Sequence, residues 1–452
     1  MSADFTIAAC ATPHGKGGVG VVRVSGTLVP TIAAEILGQL PPPRYALYHD
    51  FYGARREIID SGIALYFPAP HSFTGEDVLE LQGHGGPVIM DRLLERIIAL
   101  GARLARPGEF SERAFLNGKI DLTQAEAIAD LINATTITAA RNAQRSLQGE
   151  FSRGIYVLVE ELISLRTQIE AAIDFSEDEI DMMQNTLIAE RLTQLMKQLE
   201  QVKNAAKQGV LLRDGISVVI AGKPNVGKSS LLNCFTGEET AIVTSIPGTT
   251  RDVLRSHIQI DGIPLHLLDT AGLHASDNLV EQEGIKRAWN EIKKADHVLW
   301  VFDVSCESLC ESRNLWPEFF AQLPEHAKLT VIYNKIDLTK ESARIDVIDN
   351  VHCAYLSAKT GVGIDLLKAH LKKCLGFNAN TESEFSARRR HLGALDRAQQ
   401  YILQAQQSLG GATDELCAED LRQAQEALSE ITGEFVTDDL LGRIFSEFCV
   451  GK

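Results

Sequence analysis

The stretch Ile216-Ser-Val-Val-Ile-Ala-Gly-Lys-Pro-Asn-Val-Gly-Lys-Ser229 predicts the fold of the middle of the chain. A buried strand leads into a glycine-rich loop with the pattern G-x-x-x-x-G-K-S, and a helical pattern follows. The glycines allow backbone N–H groups to converge on phosphate oxygens at a helix N-terminus. We expect Lys228 to bridge the β- and γ-phosphates of a nucleotide and Ser229 to ligate Mg²⁺. Strands and helices then alternate as far as about Leu375, which indicates a doubly wound α/β domain.

Four further motifs follow in the order expected of a guanine-nucleotide site. Thr249-Thr250 can present a hydroxyl to Mg²⁺, Asp269-Thr-Ala-Gly272 ends a strand, and Ser357-Ala-Lys359 can cover the base. In Asn334-Lys-Ile-Asp337, the carboxylate can accept hydrogen bonds from guanine N1–H and the 2-amino group. Adenine has neither donor, so we expect ATP to be rejected. The nucleotide-binding residues predicted from these motifs are Asn225, Val226, Gly227, Lys228, Ser229, Ser230, Thr249, Thr250, Asp269, Thr270, Ala271, Gly272, Asn334, Lys335, Asp337, Ser357, Ala358 and Lys359.

The residue that would orient the attacking water is not evident from these motifs. In Ras-type GTPases a glutamine just after the Asp-x-x-Gly motif has this role. Here Leu273 follows Gly272, and His274 comes next. An apolar side chain cannot orient water, and a histidine in such a loop is more often a surface residue. Another group must therefore hold the water and offset the charge of the transferring phosphoryl.

Composition limits the broad class of the protein. The 452 residues carry a formal net charge of −16, which argues against a basic surface for non-specific nucleic-acid binding. The eight cysteines are scattered without C-x-x-C spacing, as suits a reducing compartment. We expect a cytoplasmic protein, because the first residues lack a signal-peptide pattern and no apolar stretch approaches a membrane span.

Three successive patterns of predicted secondary structure indicate a multidomain protein. Residues 1–118 mix strands with one helix, about Val88 to Leu100, and predict an α+β domain. Residues 119–209 are helical, and Thr123 with Glu126 forms a possible capping box at their start. The α/β pattern occupies residues 210–376, and residues 377–452 are helical again. We therefore expect one helical domain into which the α/β domain is inserted.

Two blocks outside the nucleotide motifs are more specific. Phe73-Thr-Gly-Glu-Asp-Val-Leu-Glu-Leu-Gln-Gly-His-Gly-Gly86 lies near the N-terminus, and Gly442-Arg-Ile-Phe-Ser-Glu-Phe-Cys-Val-Gly-Lys452 ends the chain. The nucleotide motifs are similar to those of Era/Der-like translation-related GTPases. Together with both blocks and the inserted domain, the whole chain resembles the MnmE (TrmE) family of tRNA-modification GTPases.

The resemblance implies an activity and partners. Members of this family act with MnmG, a flavin-containing (FAD) protein, on carbon 5 of the wobble uridine of certain tRNAs. They install an aminomethyl-type or carboxymethylaminomethyl group and take the one-carbon unit from methylene-tetrahydrofolate. The resemblance also implies a homodimer, with dimerisation and tetrahydrofolate binding in the N-terminal domain.

The resemblance assigns further site residues. K⁺ would replace an arginine finger, held by Asn225, Thr244, Ile246 and Thr249, and Ser245, Pro247 and Gly248 would complete the nucleotide loop. Glu281, rather than Glu283, would position the water through a second water. The folate contacts would be Arg23, Glu80, Lys119 and Lys452. Mg²⁺ would be held by Ser229 and Thr250, and the catalytic residues would be Glu281, Cys449 and Lys228.

Some alternatives stay open at this point. A ribosome-assembly GTPase of the Era/Der type would lack folate chemistry, and a folate-dependent enzyme could use GTP only as a regulator. Without the resemblance, Arg23 and Lys119 would be interpreted as surface charges. Cys449 would be interpreted as a packed thiol at a helix end.

Overall fold

The structure is a computed structural model, in which the chain forms two compact units. One unit comprises residues 1–132, 146–199 and 393–452, and the other comprises residues 133–145 and 200–392. The residues that the structure describes are 5–174, 181–223, 225–237, 255–260, 263–269, 293, 295–305, 323, 327–339, 341–348, 350–374, 385–409, 414–435 and 437–451.

The N-terminal part of the first unit is a sheet with helices packed against it. Its strands are β1 (Ile7–Cys10), β2 (Gly17–Ser25), β3 (Leu47–Tyr52), β4 (Ile58–Phe67), β5 (Val78–Gly85) and β6 (Arg103–Leu104). Its helices are α1 (Val29–Leu37), α2 (Pro87–Ala99) and α3 (Glu109–Leu116). Over the described residues the strand order is β3-β4-β5-β2-β1-β6, and the pairing is antiparallel except between β1 and β6.

Side chains of the central strands alternate between the two faces of the sheet. One face forms the apolar core, and the other carries candidate site residues. Val22 and Val24 of β2 and Leu79 and Leu81 of β5 are buried in one apolar cluster with residues of α1 and α2. Because successive side chains of a strand point to opposite faces, the residues between them lie on the other side of the sheet. That side includes Arg23 and Glu80.

The prediction of a single helix before residue 118 was wrong, because α1 and α3 are also helical. The sequence of α1 is almost continuously apolar, with Pro30 near its start, so its helical period is hard to recognise. The proline lies in the first turn, where its missing N–H group is not needed. Gly38 ends this helix in a left-handed conformation (φ 76°), and its N–H group donates to the carbonyl oxygen of Ala34.

Long helices form the rest of the first unit and continue into the second. They are α4 (Leu122–Asn133), α5 (Ile137–Leu147), α6 (Glu150–Asp174), α7 (Asp181–Asp214), α10 (Arg389–Ser408), α11 (Asp414–Thr432) and α12 (Asp438–Ser446). Helices α6 and α11 pack together, and Arg166 of α6 donates a hydrogen bond of 2.8 Å to Gln425 of α11. Helices from before and after the α/β segment therefore share one helical layer, as the inserted architecture requires.

Helix α4 begins with a different cap from the predicted one. Oδ1 of Asp121 accepts hydrogen bonds from the N–H group of Gln124 (2.9 Å) and from the hydroxyl of Thr123 (2.7 Å). Oε1 of Gln124 in turn accepts the N–H group of Asp121 at 3.0 Å. The reciprocal cap thus joins Asp121 and Gln124, and the predicted Thr123–Glu126 box is displaced by two residues because both of these residues are buried.

In the part of the chain that the structure describes, the second unit contains a seven-stranded sheet with helices, of the α/β class. Its strands are β7 (Ile216–Gly222), β8 (Arg255–Ile260), β9 (Ile263–Asp269), β10 (His297–Asp303), β11 (Lys328–Asn334), β12 (Arg344–Ile348) and β13 (Val351–Tyr355). Its described helices include α8 (Lys228–Gly237) and α9 (Ile364–Cys374). Among the described strands the order is β12-β13-β11-β10-β7-β9-β8, with β8 and β12 as antiparallel edges and the inner pairs parallel.

The inner strands are buried on both faces, as expected for a parallel sheet. Every residue of β10 except the last is buried, and alternate residues join two different apolar clusters. The carboxyl ends of β7, β10, β11 and β13 meet at one edge of the sheet, where ligands of such folds bind. None of the helices in the described part of the chain has the length and apolarity needed to cross a membrane.

Candidate functional site

The glycine-rich loop between β7 and α8 is shaped by two glycines. Gly222 (φ 147°) and Gly227 (φ 98°) both have positive φ angles. A Cβ atom on Gly222 would lie 2.4 Å from the carbonyl oxygen of Val301, and one on Gly227 would lie 2.3 Å from Nδ2 of Asn334. Real Cβ contacts are not this short, so the loop can take this path only with glycine at both positions.

The N-terminus of α8 gathers the residues predicted to bind phosphate. Nζ of Lys228 donates hydrogen bonds of 2.8 Å to the carbonyl oxygens of Gly222 and Lys223. Ser229 and Ser230 are exposed in the first turn of the helix. The N–H groups and positive dipole end of a helix attract anions, and here they lie beside the lysine ammonium group.

Asn334 joins the glycine-rich loop to the loop after β13. Its side chain is 2% exposed, and its Nδ2 donates a hydrogen bond of 2.8 Å to the carbonyl oxygen of Val226. Its Oδ1 accepts the N–H group of Ala358 at 2.8 Å. One buried amide therefore fixes the spacing between the loop predicted to hold phosphates and the loop predicted to cover the base.

The predicted base-recognition residues also contact each other. The hydroxyl of Ser357, which is fully buried, donates a hydrogen bond of 2.6 Å to Oδ1 of Asp337. The same hydroxyl oxygen accepts the N–H group of Thr360 at 3.3 Å. Asp337 and Lys359 are exposed. The exposed carboxylate is thus held through one of its oxygens by a buried hydroxyl group.

Asp303 is a site residue that the motif analysis missed. Nζ of Lys335 lies 2.7 Å from Oδ2 of Asp303 and donates to the carbonyl oxygen of Asn225 at 2.8 Å. Burial alone would raise the pKa of Asp303, but hydrogen bonds from Lys335 and Ser305 lower it below its usual value. Asp303 ends β10 directly beside Asn334, which ends β11. The signal available in the sequence was an acidic residue near the end of the apolar run Val298 to Val304.

Several predicted residues lie outside the described part of the chain. They are Thr244, Ser245, Ile246, Pro247, Gly248, Thr249, Thr250, Thr270, Ala271, Gly272, His274, Glu281 and Lys452. Asp269 is described only as the last backbone position of β9. Among the described residues, no group of three or more His, Cys, Asp or Glu side chains is arranged to hold a metal ion.

A second cluster of predicted residues lies on the face of the N-terminal sheet opposite the α1–α2 core. Arg23 of β2 is directly opposite Glu80 of β5, and its Nε and Nη2 both lie 2.8 Å from Oε1 of Glu80. The guanidinium group lies over the rings of Phe73 and Phe110, 6.0 and 5.8 Å from their centroids. Within the described structure, Oε2 of Glu80 accepts no hydrogen bond, so one carboxylate oxygen is left for a ligand.

Buried ion pairs hold the loop that carries Phe73. Arg113 is 3% exposed, and its Nη1 donates to both carboxylate oxygens of Glu76 at 3.0 and 2.8 Å. Ser25 bonds to both Thr74 and Glu76 at 2.7 Å. A buried charge is stable only when it is paired, so these bonds hold the loop in a fixed conformation beside Arg23.

The other predicted folate residues lie near this cluster or outside the described chain. Lys119 is exposed, and its Cε would lie 3.1 Å from a Cβ atom placed on Gly75, two residues after Phe73. Cys449 is exposed, and its carbonyl oxygen accepts the N–H group of Gly108 at 3.3 Å. Gly451, near the chain end, accepts a hydrogen bond of 3.4 Å from Nη1 of Arg23.

Comparison with known proteins identifies the family. The family model of the GTP-binding protein TrmE N-terminus matches residues 6–119, and that of the MnmE helical domain matches residues 122–449. A tRNA modification GTPase MnmE of Chromohalobacter salexigens is 58% identical over 99% of this chain and 98% of its own length. The chain belongs to the MnmE family of tRNA modification GTPases.

A second full-length relative agrees with this assignment to the MnmE family. A tRNA modification GTPase MnmE of Yersinia pestis is 58% identical over the full length of both chains. Among solved structures, the FeoB G-domain of Methanococcus jannaschii is 25% identical and covers 36% of this chain and 97% of its own, with a TM-score of 0.27. The family models and the full-length MnmE relatives confirm the predicted resemblance, and they favour tRNA modification over the ribosome-assembly alternative.

Proposed function

We propose that this protein hydrolyses GTP and that hydrolysis drives a conformational cycle needed to modify the wobble uridine of certain tRNAs. The observation that carries the proposal is the pairing of a preorganised guanine-type site with full-length similarity to MnmE proteins. In this proposal, residues 1–118 bind tetrahydrofolate and dimerise, residues 119–209 and 377–452 form the helical domain, and residues 210–376 form the G domain.

The described nucleotide residues have distinct roles. Lys228 and the N-terminus of α8 bind the phosphates, and Asp337, held by Ser357, accepts two hydrogen bonds from guanine. ATP offers no donors to Asp337 and leaves a desolvated carboxylate unpaired, which supports selectivity for GTP. Asn334 couples both halves of the site, so the base and the phosphates are positioned together.

The metal ions belong to the phosphate side of this site. The exposed hydroxyl of Ser229 suits Mg²⁺, which prefers oxygen ligands, and Thr250 would complete the protein contribution. Asn225, with Thr244, Ile246 and Thr249, would hold K⁺. A monovalent cation beside the phosphates supplies charge stabilisation like that of an arginine finger. Glu281 would position the attacking water.

The Arg23–Glu80 pair supports the proposed folate site. The amino-pyrimidinone edge of a pterin donates hydrogen bonds, and Oε2 of Glu80 can accept them. Arg23 orients Glu80 through the other oxygen, while Lys119 and Lys452 would attract the anionic end of the cofactor. A tetrahydrofolate derivative supplies the one-carbon unit when it is bound, and Cys449 would act near that unit.

The proposal includes three partners that follow from family membership. A second copy of the chain would complete the homodimer, a flavin-containing MnmG-like protein would share the modification reaction, and tRNA would be the substrate. A chain with a net charge of −16 has little general attraction for tRNA phosphates, which supports a complex in which the MnmG-like partner supplies most of the affinity for tRNA.

Nucleoside analysis of tRNA from a deletion strain tests the proposal. We expect the strain to lack the modified wobble uridine and to regain it with the wild-type chain or with Lys373→Ala, an exposed residue of α9. Lys228→Ala should not restore the nucleoside. Intact wobble uridine in the deletion strain, together with disturbed ribosome profiles, would instead support the ribosome-assembly alternative.

A further inference from the structure

The end of the chain is packed against the N-terminal domain. Phe445 and Phe448 are 2% and 5% exposed, and they join an apolar cluster with residues of α4. Gly108, in a left-handed conformation (φ 68°), lies so close to this segment that a Cβ atom would be 2.6 Å from the carbonyl oxygen of Phe445. The N–H group of Gly108 donates to Cys449, so the main chain on both sides approaches closely.

Gly451 makes a second close contact beyond Cys449. It is buried, has a φ angle of 93°, and a Cβ atom on it would lie 2.5 Å from the carbonyl oxygen of Cys10 and 3.0 Å from Cα of Ala11. Cys10 belongs to β1 and pairs with Val22 of β2, so its backbone cannot easily move away. A terminal segment without a structural role is usually exposed and poorly ordered. Gly451 is instead buried and closely packed.

The contact of Gly451 with Arg23 ties the chain end to the candidate folate site. Arg23 uses Nε and Nη2 for Glu80 and Nη1 for the carbonyl oxygen of Gly451. Consecutive Cα atoms are about 3.8 Å apart, so Cα of Cys449 lies within about 7.6 Å of Cα of Gly451. The exposed residue Cys449 therefore lies in a segment that is held at two points. Its own carbonyl oxygen bonds to Gly108, and that of Gly451 bonds to Arg23.

We propose that Gly451 is a positioning residue that seats the C-terminal segment, residues 449–451, beside the Arg23–Glu80 pair. Its lack of a side chain lets the backbone reach β1, and this seat fixes the place from which Cys449 acts. The effect of this position on folate chemistry rests on the proposed function, whereas the backbone contacts of residues 449–451 do not.

Gly451→Ala tests the seat, and Gly442→Ala is the matched control. Gly442 lies in α12, where an added Cβ atom meets nothing within 4 Å. In native-state hydrogen exchange, we expect the Gly108 amide to exchange at least tenfold faster in Gly451→Ala. We also expect Cys449 to be alkylated several-fold faster, as measured on its own peptide by mass spectrometry. Gly442→Ala should match the wild type in both measurements.

A second variant separates loss of the seat from misfolding. A chain ending at Val450 removes the contact without creating a clash, so it should show the same faster exchange at Gly108. Unchanged exchange and alkylation in both variants would overturn the proposal.

The folate chemistry is tested separately with methylene-tetrahydrofolate. Gly451→Ala should weaken its binding about tenfold, because displaced binding groups lose their geometry. Cys449→Ser should leave the affinity unchanged and lower the rate of modification. Equal affinity of Gly451→Ala and the wild type would show that the seat does not position the site. Failure of the wild-type chain to bind the cofactor would instead contradict the proposed function, and the exchange comparison would still decide the seat.

Discussion

The hydroxyl of Ser357 donates a hydrogen bond of 2.6 Å to Oδ1 of Asp337, although the two residues are 20 positions apart in the sequence. Ser357 follows β13 and Asp337 follows β11, and these strands are neighbours in the sheet. The carboxylate proposed to select the base is therefore held by a buried side chain, and it does not need to be ordered when the nucleotide binds. Such preorganisation reduces the entropy lost on binding.

Ser357→Ala should weaken GTP binding about tenfold. A hydrogen bond to a charged group contributes about 1.5–3 kcal/mol, and water can replace part of this interaction at Asp337 in the variant. Isothermal titration calorimetry with a non-hydrolysable GTP analogue measures the change. Ser342→Ala, in an exposed loop, is the control and should bind like the wild type. Equal affinities of the two variants would contradict a role for Ser357 in holding Asp337.

Asp337→Asn should lower GTP affinity by at least 100-fold and improve the binding of xanthosine triphosphate. An amide presents a donor where guanine also presents a donor, whereas xanthine offers an oxygen at carbon 2. Competition binding with both nucleotides measures the switch. Asp346→Asn, on the edge strand β12, should leave the preference for GTP intact. A variant that loses both nucleotides equally would indicate a folding defect instead.

Gly227→Ala should abolish nucleotide binding. The new Cβ atom would lie 2.3 Å from Nδ2 of Asn334, so the amide that connects the two halves of the site must move. Gly393→Ala adds the same methyl group to helix α10, where the nearest atom is 3.9 Å away. This control should bind GTP normally and unfold at the same or a slightly higher temperature, because alanine favours helix by up to about 1 kcal/mol.

The local parts of the site could be predicted from the sequence, and the relationships between distant residues could not. The glycine-rich loop follows from the spacing of its own residues, and the structure places Gly222 and Gly227 where only glycine fits. The pairing of Asp303 with Lys335 depends on β10 lying next to β11, which no single motif encodes. Arg23, without the family resemblance, was interpreted as a surface charge because its partner Glu80 is 57 positions away.

The errors at helix boundaries have a similar physical origin. The first residues of α4 contain two overlapping cap patterns, and the choice between them depends on burial by α6, through the contact of Thr123 with Ser152. Burial comes from tertiary packing, which the local sequence does not show. The close approach of Gly451 to Cys10 depends on the same kind of long-range packing.

GTP hydrolysis should be at least tenfold faster in potassium than in sodium buffer of equal ionic strength. The proposed K⁺ site uses Asn225, which is exposed and has a positive φ angle of 62°. Asn225→Asp retains a residue that tolerates this conformation but changes the ligand chemistry, so it should alter the preference for potassium. Initial rates of phosphate release in both salts measure the effect. Equal wild-type rates would reject the cation proposal.

Buried histidines in the α/β domain predict that its stability falls in acid. His297 is fully buried, and its Nε2 lies 2.8 Å from the hydroxyl oxygen of Thr330, which lies 3.0 Å from Nε2 of His370. Burial, with a smaller effect of the neighbouring His370, lowers the pKa of His297 from 6.5 to about 3. Burial, together with His352, lowers the pKa of His370 to about 4.

Between about pH 4 and pH 6.5 the unfolded chain binds protons at these histidines that the folded chain does not bind. The free energy of unfolding therefore rises with pH through this window and levels off above it. From pH 7 to pH 5, His297 alone should lower the stability by about 2 kcal/mol. All three tryptophans (Trp289, Trp300 and Trp316) belong to the α/β segment, so urea unfolding followed by tryptophan fluorescence reports on this domain.

His297→Gln removes one titrating group from the buried cluster, and its stability should depend less steeply on pH than that of the wild type. His14→Gln changes an exposed histidine of the N-terminal domain and should leave the pH dependence of the tryptophan signal unchanged. The comparison uses the slope of stability against pH, so a general destabilisation by His297→Gln does not obscure the result. Parallel slopes for the wild type and His297→Gln would show that His297 is not the group whose protonation accompanies unfolding.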